Sequence, residues 1–240
     1  MDDHIDLRHE QLQTLARPRY PYSSVTKTMV RGMDVFAGEA TTLVKAKIVE
    51  TLAPIPYRAW ENHEYTRLAR HPGDDALVRE SEAVLHWGRE AQDREYHHLR
   101  VIDAKLREDG AGMPWRLSRP MPELMAGSWS VASRTLSVAS MRFALLLNAE
   151  AEDHAEHYYA ELVELHPEWE EQPVRSAAVG AYGEFDNWAD VFRRIGLDER
   201  DHMNASFAFA GAPEKIVSYD GMPPTPGLDW HVAAGAGSED

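Results

Sequence analysis

The 240-residue sequence contains no cysteine. That removes disulfides, thiolate metal sites and cysteine nucleophiles from consideration. It also lacks an apolar run of about 18 residues, so no helix is expected to span a bilayer. Basic residues are outnumbered, 25 Lys and Arg against 40 Asp and Glu, for a net charge of −15. A surface of that sign repels phosphate backbones and argues against nucleic-acid binding through a basic patch. The nucleotide-cradling patterns G-x-G-x-x-G and G-x-x-x-x-G-K-[ST] are missing, as is the G-x-S-x-G elbow of serine hydrolases. No segment alternates at a period of two, so strands are not expected. The opening Met1–Asp6 is acidic and carries no signal-peptide pattern, which makes a cytoplasmic location the expectation.

What is present is helical in character. Breakers such as Pro54 and Pro56, His71-Pro-Gly-Asp74, Asp109-Gly-Ala-Gly112 and Pro167 separate apolar-periodic segments. Helices are expected near 25–53, broken around Gly38, and near 75–108, 121–148, 149–165 and 184–207. Residues 1–24 and 208–240 read as an N-terminal arm and a flexible C-terminal tail, the latter because of its Gly, Pro and Ala content. Long helices with short connections favour an antiparallel bundle.

The chemistry lies in glutamate and histidine at a spacing of three. Glu95 and His98 share one helix face, and Glu199 and His202 repeat the spacing. Glu50 stands among Ile48, Val49 and Leu52, where an unpaired carboxylate is costly to bury. Glu152 stands in an acid-dense run that also offers Glu150, Asp153 and Glu156 as alternatives. The order along the chain is Glu, Glu-x-x-His, Glu, Glu-x-x-His. Four helices contributing in that order can form the dinuclear carboxylate site of a ferritin-like four-helix bundle, here with one or two additional amphipathic helices. Oxygen and imidazole donors without thiolate suit iron, with manganese the second candidate.

At these residues the chain resembles the alternative oxidases, most closely the plastid terminal oxidase branch. Ile48–Tyr57, Arg94–Leu99, Glu152–Tyr159 and Asp190–Phe192 with Asp198–His202 carry the likeness. The resemblance implies a di-iron centre held by Glu50, Glu95, His98, Glu152, Glu199 and His202. It also implies a redox-active Tyr159 and an Asp198 that orients a ligand histidine. Three positions depart from the family pattern. Arg94 replaces an Asn, His154 replaces an acid, and Lys45 replaces the arginine that contacts quinol. The implied activity is oxidation of a quinol, of ubiquinol or plastoquinol type, with reduction of dioxygen to water. The altered positions leave open a soluble di-iron oxygenase acting on a small organic substrate, and an iron-storage bundle is a third reading.

The segments 25–44 and 121–147 are the candidates for peripheral contact with the cytoplasmic face of a membrane, and the second is equally a candidate homodimer face. Trp60, Trp87, Trp115, Trp129 and Trp188 read as core or interface anchors. His63, His71, His86, His166 and His231 read as solvated.

Overall fold

The computed structural model describes residues 5–112 and 118–228, and these are all-helical, with no strand among them. The elements are α1 (Leu7–Ala16), α2 (Ser24–Ala37), α3 (Leu43–Leu52), α4 (Pro54–Arg70), α5 (Asp75–Glu108), α6 (Met121–Ala139), α7 (Met141–Leu165), α8 (Ala177–Tyr182) and α9 (Trp188–Phe209). Short side chains set most of the starts. Ser23, Thr42, Asp74, Ser140 and Asn187 each accept a hydrogen bond from a backbone N–H in the first turn that follows. Each satisfies one of the donors that a helix N-terminus leaves free.

Of three apolar clusters among the described residues, the smallest gathers Ala149, Met203, Phe207 and Ala212, and the two larger ones organise the interior. One gathers Leu43, Val101, Ile102, Leu162, Trp169, Trp188 and Phe192. The other gathers Tyr57, Trp60, Val84, Trp87, Leu145 and Phe209. On α5 the sequence passes from the second cluster at Val84 and Trp87, through Glu95 and His98, to the first at Val101 and Ile102. On α9 it passes the other way, from Trp188 and Phe192 through Glu199 and His202 to Phe209. The α3–α4 pair runs like α9, and α7 runs like α5. The acid and histidine positions therefore fall at the same level on every one of these helices, between the two clusters. The polar layer is held between two dry ones.

Several elements differ from the sequence expectations. Pro54 and Pro56 do not interrupt the chain; they open α4, whose first turn needs no amide donors and accepts proline's fixed φ. α3 and α4 are separated only by Ala53, itself in helical conformation. The long segment 121–148 divides at Ser140, whose backbone is extended and whose hydroxyl caps α7. Gly38 ends α2 at φ +97, as the expected break required.

The arm and tail are more structured than expected. In α1, Gln11 donates to Ala160 O at 2.9 Å and Thr14 to Glu156 Oε1 at 2.7 Å. Arg17 forms ion pairs with Asp153 at 2.8 Å and Glu156 at 2.6 Å. These contacts are polar, so hydrophobic periodicity could not reveal them. Downstream of α9, Ala210, Ala212 and Tyr219 are buried, and Asn204 bonds both the N–H and the C=O of Val217. Residues 229–240 of the expected tail, with His231, and Trp115 lie outside the described residues. Trp60, Trp87 and Trp188 are buried as anchors. Among the described residues no helix is long and apolar enough to cross a membrane.

Arg200 holds the N-terminal segment to the core. It is 1% exposed, pairs with Glu156 at 2.8 Å and Glu10 at 2.5 Å, and donates to Thr14 Oγ1 at 2.8 Å. Removing one member of a buried ionic network strands the others. Arg200→Ala is therefore predicted to destabilise the protein by about 3 kcal/mol and to make residues 5–23 accessible to protease. Denaturant unfolding and limited proteolysis check this, and an unchanged midpoint would contradict it.

Candidate metal centre

Two groups of buried side chains meet at the middle level of the helices. Glu50, Glu95, His98 and Glu199 form one, and Glu95, Glu152, Glu199 and His202 form the other. Within each group the potential ligand atoms lie within 4.8 Å of one another. Glu95 and Glu199 belong to both. The six residues expected from the sequence thus converge on one polar layer, with two shared carboxylates between two terminal ones, and each group can hold a metal ion.

The donor atoms are poorly satisfied by the protein itself. His98 Nδ1 lies 3.1 Å from Glu199 Oε1, 3.6 Å from Glu95 Oε2 and 3.7 Å from Glu50 Oε2. His202 Nδ1 lies 3.1 Å from Glu95 Oε1 and 3.4 Å from Glu199 Oε2. None of these approaches closes a hydrogen bond. Both oxygens of Glu95 and of Glu199, Glu50 Oε2 and both Nδ1 atoms remain buried without a partner. Buried polar atoms are nearly always paired, and each orphan costs about 1–3 kcal/mol. A cluster of orphans that all face one another is what a cation between them would resolve. The donor set, carboxylate oxygen and imidazole nitrogen, fits such an ion.

Electrostatics point the same way. Burial pushes the Glu50 and Glu152 carboxyls well above the ordinary carboxylate range, and their acidic neighbours Glu95 and Glu199 add to the rise. Burial also works against charge on Glu95, His98 and His202. There the contacts prevail: His202 and His98 hold Glu95 low, Tyr182 and Asp198 followed by Glu199 and Glu50 raise His98, and Glu199 and Glu95 raise His202.

A surrounding shell fixes the orientation of these side chains. Asp198 accepts from His98 Nε2 at 3.2 Å, which leaves Nδ1 directed into the cluster. Asp198 in turn accepts from Tyr182 at 2.5 Å, from Arg94 at 3.1 Å and from Arg194. Arg94, a departure from the family pattern, thereby ties α5 to α9. Tyr159 donates to Glu50 Oε1. Tyr57 donates to Glu152 Oε1 at 2.7 Å, and the Asn148 amide joins the same oxygen at 2.9 Å. The alternatives to Glu152 are employed elsewhere. Glu150 holds the start of α2 through Ser23 and Thr26, and Asp153 and Glu156 hold Arg17.

Sequence reading missed Tyr57, Asn148 and Tyr182. The first two carried a signal: Tyr57 lies seven residues after Glu50, as Tyr159 does after Glu152, and Asn148 lies one turn before Glu152. Tyr182 sits on the short α8, and no spacing links it to Asp198.

A cavity of about 490 Å³ reaches the centre from α2, α3, α6 and α7. Its walls are mainly apolar, including Met29, Met33, Val49 and Trp129, and its inner end carries Glu152 and Tyr159. The volume suits a small organic ligand. Lys45 and His154 both line it. The Lys45 ammonium is engaged by Asp34 and by Gly38 O at 3.1 Å. His154 Nδ1 is buried without a partner, and burial lowers the ring's pKa to about 4. No protein-family model matches the chain, and no curated protein matches it.

Two outcomes are predicted for this centre. Glu95→Ala and Glu199→Ala should weaken metal binding at both groups, whereas Glu50→Ala and Glu152→Ala should spare one; calorimetric titration with ferrous or manganous ion distinguishes these patterns. Because Glu50 and Glu152 are raised above their unfolded values, charging them at neutral pH opposes folding. Glu50→Gln and Glu152→Gln should therefore raise the stability of the metal-free chain, seen as a rise in the denaturant midpoint. A fall in stability would show that these carboxylates are structural.

Proposed function

We propose that this chain is a di-iron oxidase of the alternative oxidase type, built on a ferritin-like bundle, that oxidises a quinol and reduces dioxygen to water. The observation that carries the reading is the junction of the apolar cavity with the carboxylate and histidine layer at Glu152 and Tyr159. An organic reductant seated in the cavity would lie against the centre without exposing it to bulk water. The resemblance of the four motif segments to the alternative oxidases supplies the reaction class.

Two bound iron ions would supply redox electrons and a binding place for dioxygen. Glu50, Glu95, His98 and Glu199 would hold one, and Glu95, Glu152, Glu199 and His202 the other. Four carboxylates offset the charge of two divalent ions, so the dry layer carries no large net charge. The chain's own residues perform the rest. Asp198 keeps the proton of His98 on Nε2. Tyr159 holds a phenolic proton against Glu50 Oε1, where proton and electron can leave together. Asn148 and Tyr57 fix Glu152 at the cavity's inner end. Met29, Met33 and Trp129 exclude water from the reductant.

The positions of Lys45 and His154 favour a second reading, a di-iron oxygenase acting on another small organic substrate. Lys45 is already paired with Asp34, so the charge that would meet a quinol oxygen is occupied. His154 stands on the cavity wall with Nδ1 buried and without a partner, where the likeness would place an acid.

Oxygen uptake by the iron-loaded protein on addition of a short-chain quinol, with isotopically labelled dioxygen, separates the readings. Label recovered in water supports the oxidase; label in an organic product supports the oxygenase; iron loading with no turnover of any reductant overturns both. Tyr159→Phe preserves volume and packing but removes the phenolic hydrogen. It is predicted to fold and bind iron normally and to lose most oxygen reduction, while Tyr158→Phe, about 100° around the helix, retains it. Wild-type uptake by Tyr159→Phe would reduce Tyr159 to a packing residue.

A further inference from the structure

Tyr57 is fully buried, and its hydroxyl donates to Glu152 Oε1 at 2.7 Å. Its ring stands edge-on to His202, with centroids 5.7 Å apart. The ring is also edge-on to Trp60 at 5.0 Å and to Trp87 at 5.4 Å. The two indoles stack on each other at 5.3 Å with 20° between their planes. One phenol in contact with the centre thus touches two indoles directly.

The other phenol at the centre has different company. Tyr159 stacks against Phe192 at 6.3 Å, and Phe192 separates it from Trp169 and Trp188. A benzene ring resists one-electron oxidation under conditions in which phenols and indoles yield. The other ring beside Tyr159 is the phenol of Tyr158, edge-on at 6.2 Å. Among the described residues Tyr159 has no direct indole contact, whereas Tyr57 has two. Packing alone asks only for apolar bulk at 60 and 87. It does not ask that the tyrosine bonded to a carboxylate of the centre abut two oxidisable rings.

We propose that Tyr57, Trp60 and Trp87 form an electron relay that reduces the oxidised metal centre when dioxygen reacts in the absence of an organic reductant. The proposal rests on the metal-centre reading above. The oxidant is the dioxygen-oxidised iron pair, which accepts one electron from Tyr57. The phenolic proton passes along the hydrogen bond to Glu152 Oε1, leaving a neutral phenoxyl. One electron from the stacked indoles then reduces the phenoxyl, and the proton returns from Glu152 Oε1 to the Tyr57 oxygen. The net result is one electron delivered to the centre and one indole radical cation shared by Trp60 and Trp87. Stacking spreads that charge over two rings, and the dry surroundings keep water from adding to it.

The test uses the full chain loaded with ferrous iron and mixed with dioxygen without reductant. Freeze-quenched samples are read by electron paramagnetic resonance for radicals and by Mössbauer spectroscopy for the iron. Protein carrying ring-deuterated tryptophan should show a narrowed radical signal, which identifies an indole in the unmutated chain. Tyr57→Phe, compared with the unmutated chain at equal iron content, should lose the indole signal. Trp60→Phe and Trp87→Phe should shift the signal towards tyrosyl, narrowed by ring-deuterated tyrosine instead. Oxidised iron with a radical that narrows only with deuterated tyrosine and disappears in Tyr159→Phe would overturn the relay and leave the proposed function standing. Iron that is neither bound nor oxidised would overturn both.

Discussion

Four carboxylates enclosed in one layer of a helical interior are the constraint on which the rest of the structure depends. Their mutual repulsion and lost hydration must be offset, and the protein offsets only part. Two imidazoles contribute, and hydroxyl or amide donors reach Glu50 and Glu152. The shared pair, Glu95 and Glu199, has no hydrogen-bond donor from the chain. The dry clusters on either side keep water from filling the deficit. Such a layer leans on the aromatic packing above and below it, and a cation between the carboxylates would relieve what remains. Function and fold make opposite demands here, as is common where a site is assembled from buried charge.

Much of this was legible in the sequence because the site is built on regular helices. The order Glu, Glu-x-x-His, Glu, Glu-x-x-His named the side chains that meet, since a spacing of three fixes a shared face whatever the partner helix does. Apolar neighbours around Glu50 signalled burial. The choice of Glu152 among four nearby acids followed from the family likeness, and the structure gives the physical reason. Glu150 and Asp153 lie on other faces of α7 and are taken by α2 and Arg17, and Glu156, one turn after Glu152, is taken by Arg17, Arg200 and Thr14.

The rest was illegible for equally physical reasons. α1 carries no apolar stripe and is held by Arg17, Arg200 and Thr14, so periodicity gave it no voice. The prolines of α4 looked like breakers because their effect depends on position in the turn, and only the first turn tolerates them. Tyr182 reaches Asp198 from a short helix whose placement no local pattern encodes. The pairing of Lys45 with Asp34 likewise depends on how α2 folds back over α3 after Gly38.

The two tyrosines at the centre are crossed. Tyr159 on α7 bonds Glu50 on α3, and Tyr57 on α4 bonds Glu152 on α7. Since α3 and α4 run antiparallel to α7, the two bonds slant the same way between them. Each tyrosine stands about two turns further along the chain than the acid on its own side, and reaches the acid of the opposite side. Sliding in one axial direction would stretch both bonds together, and sliding in the other would slacken both. The axial register of this antiparallel pair therefore sets Glu50 and Glu152 at once, and a slip of that register would displace the two terminal carboxylates in concert.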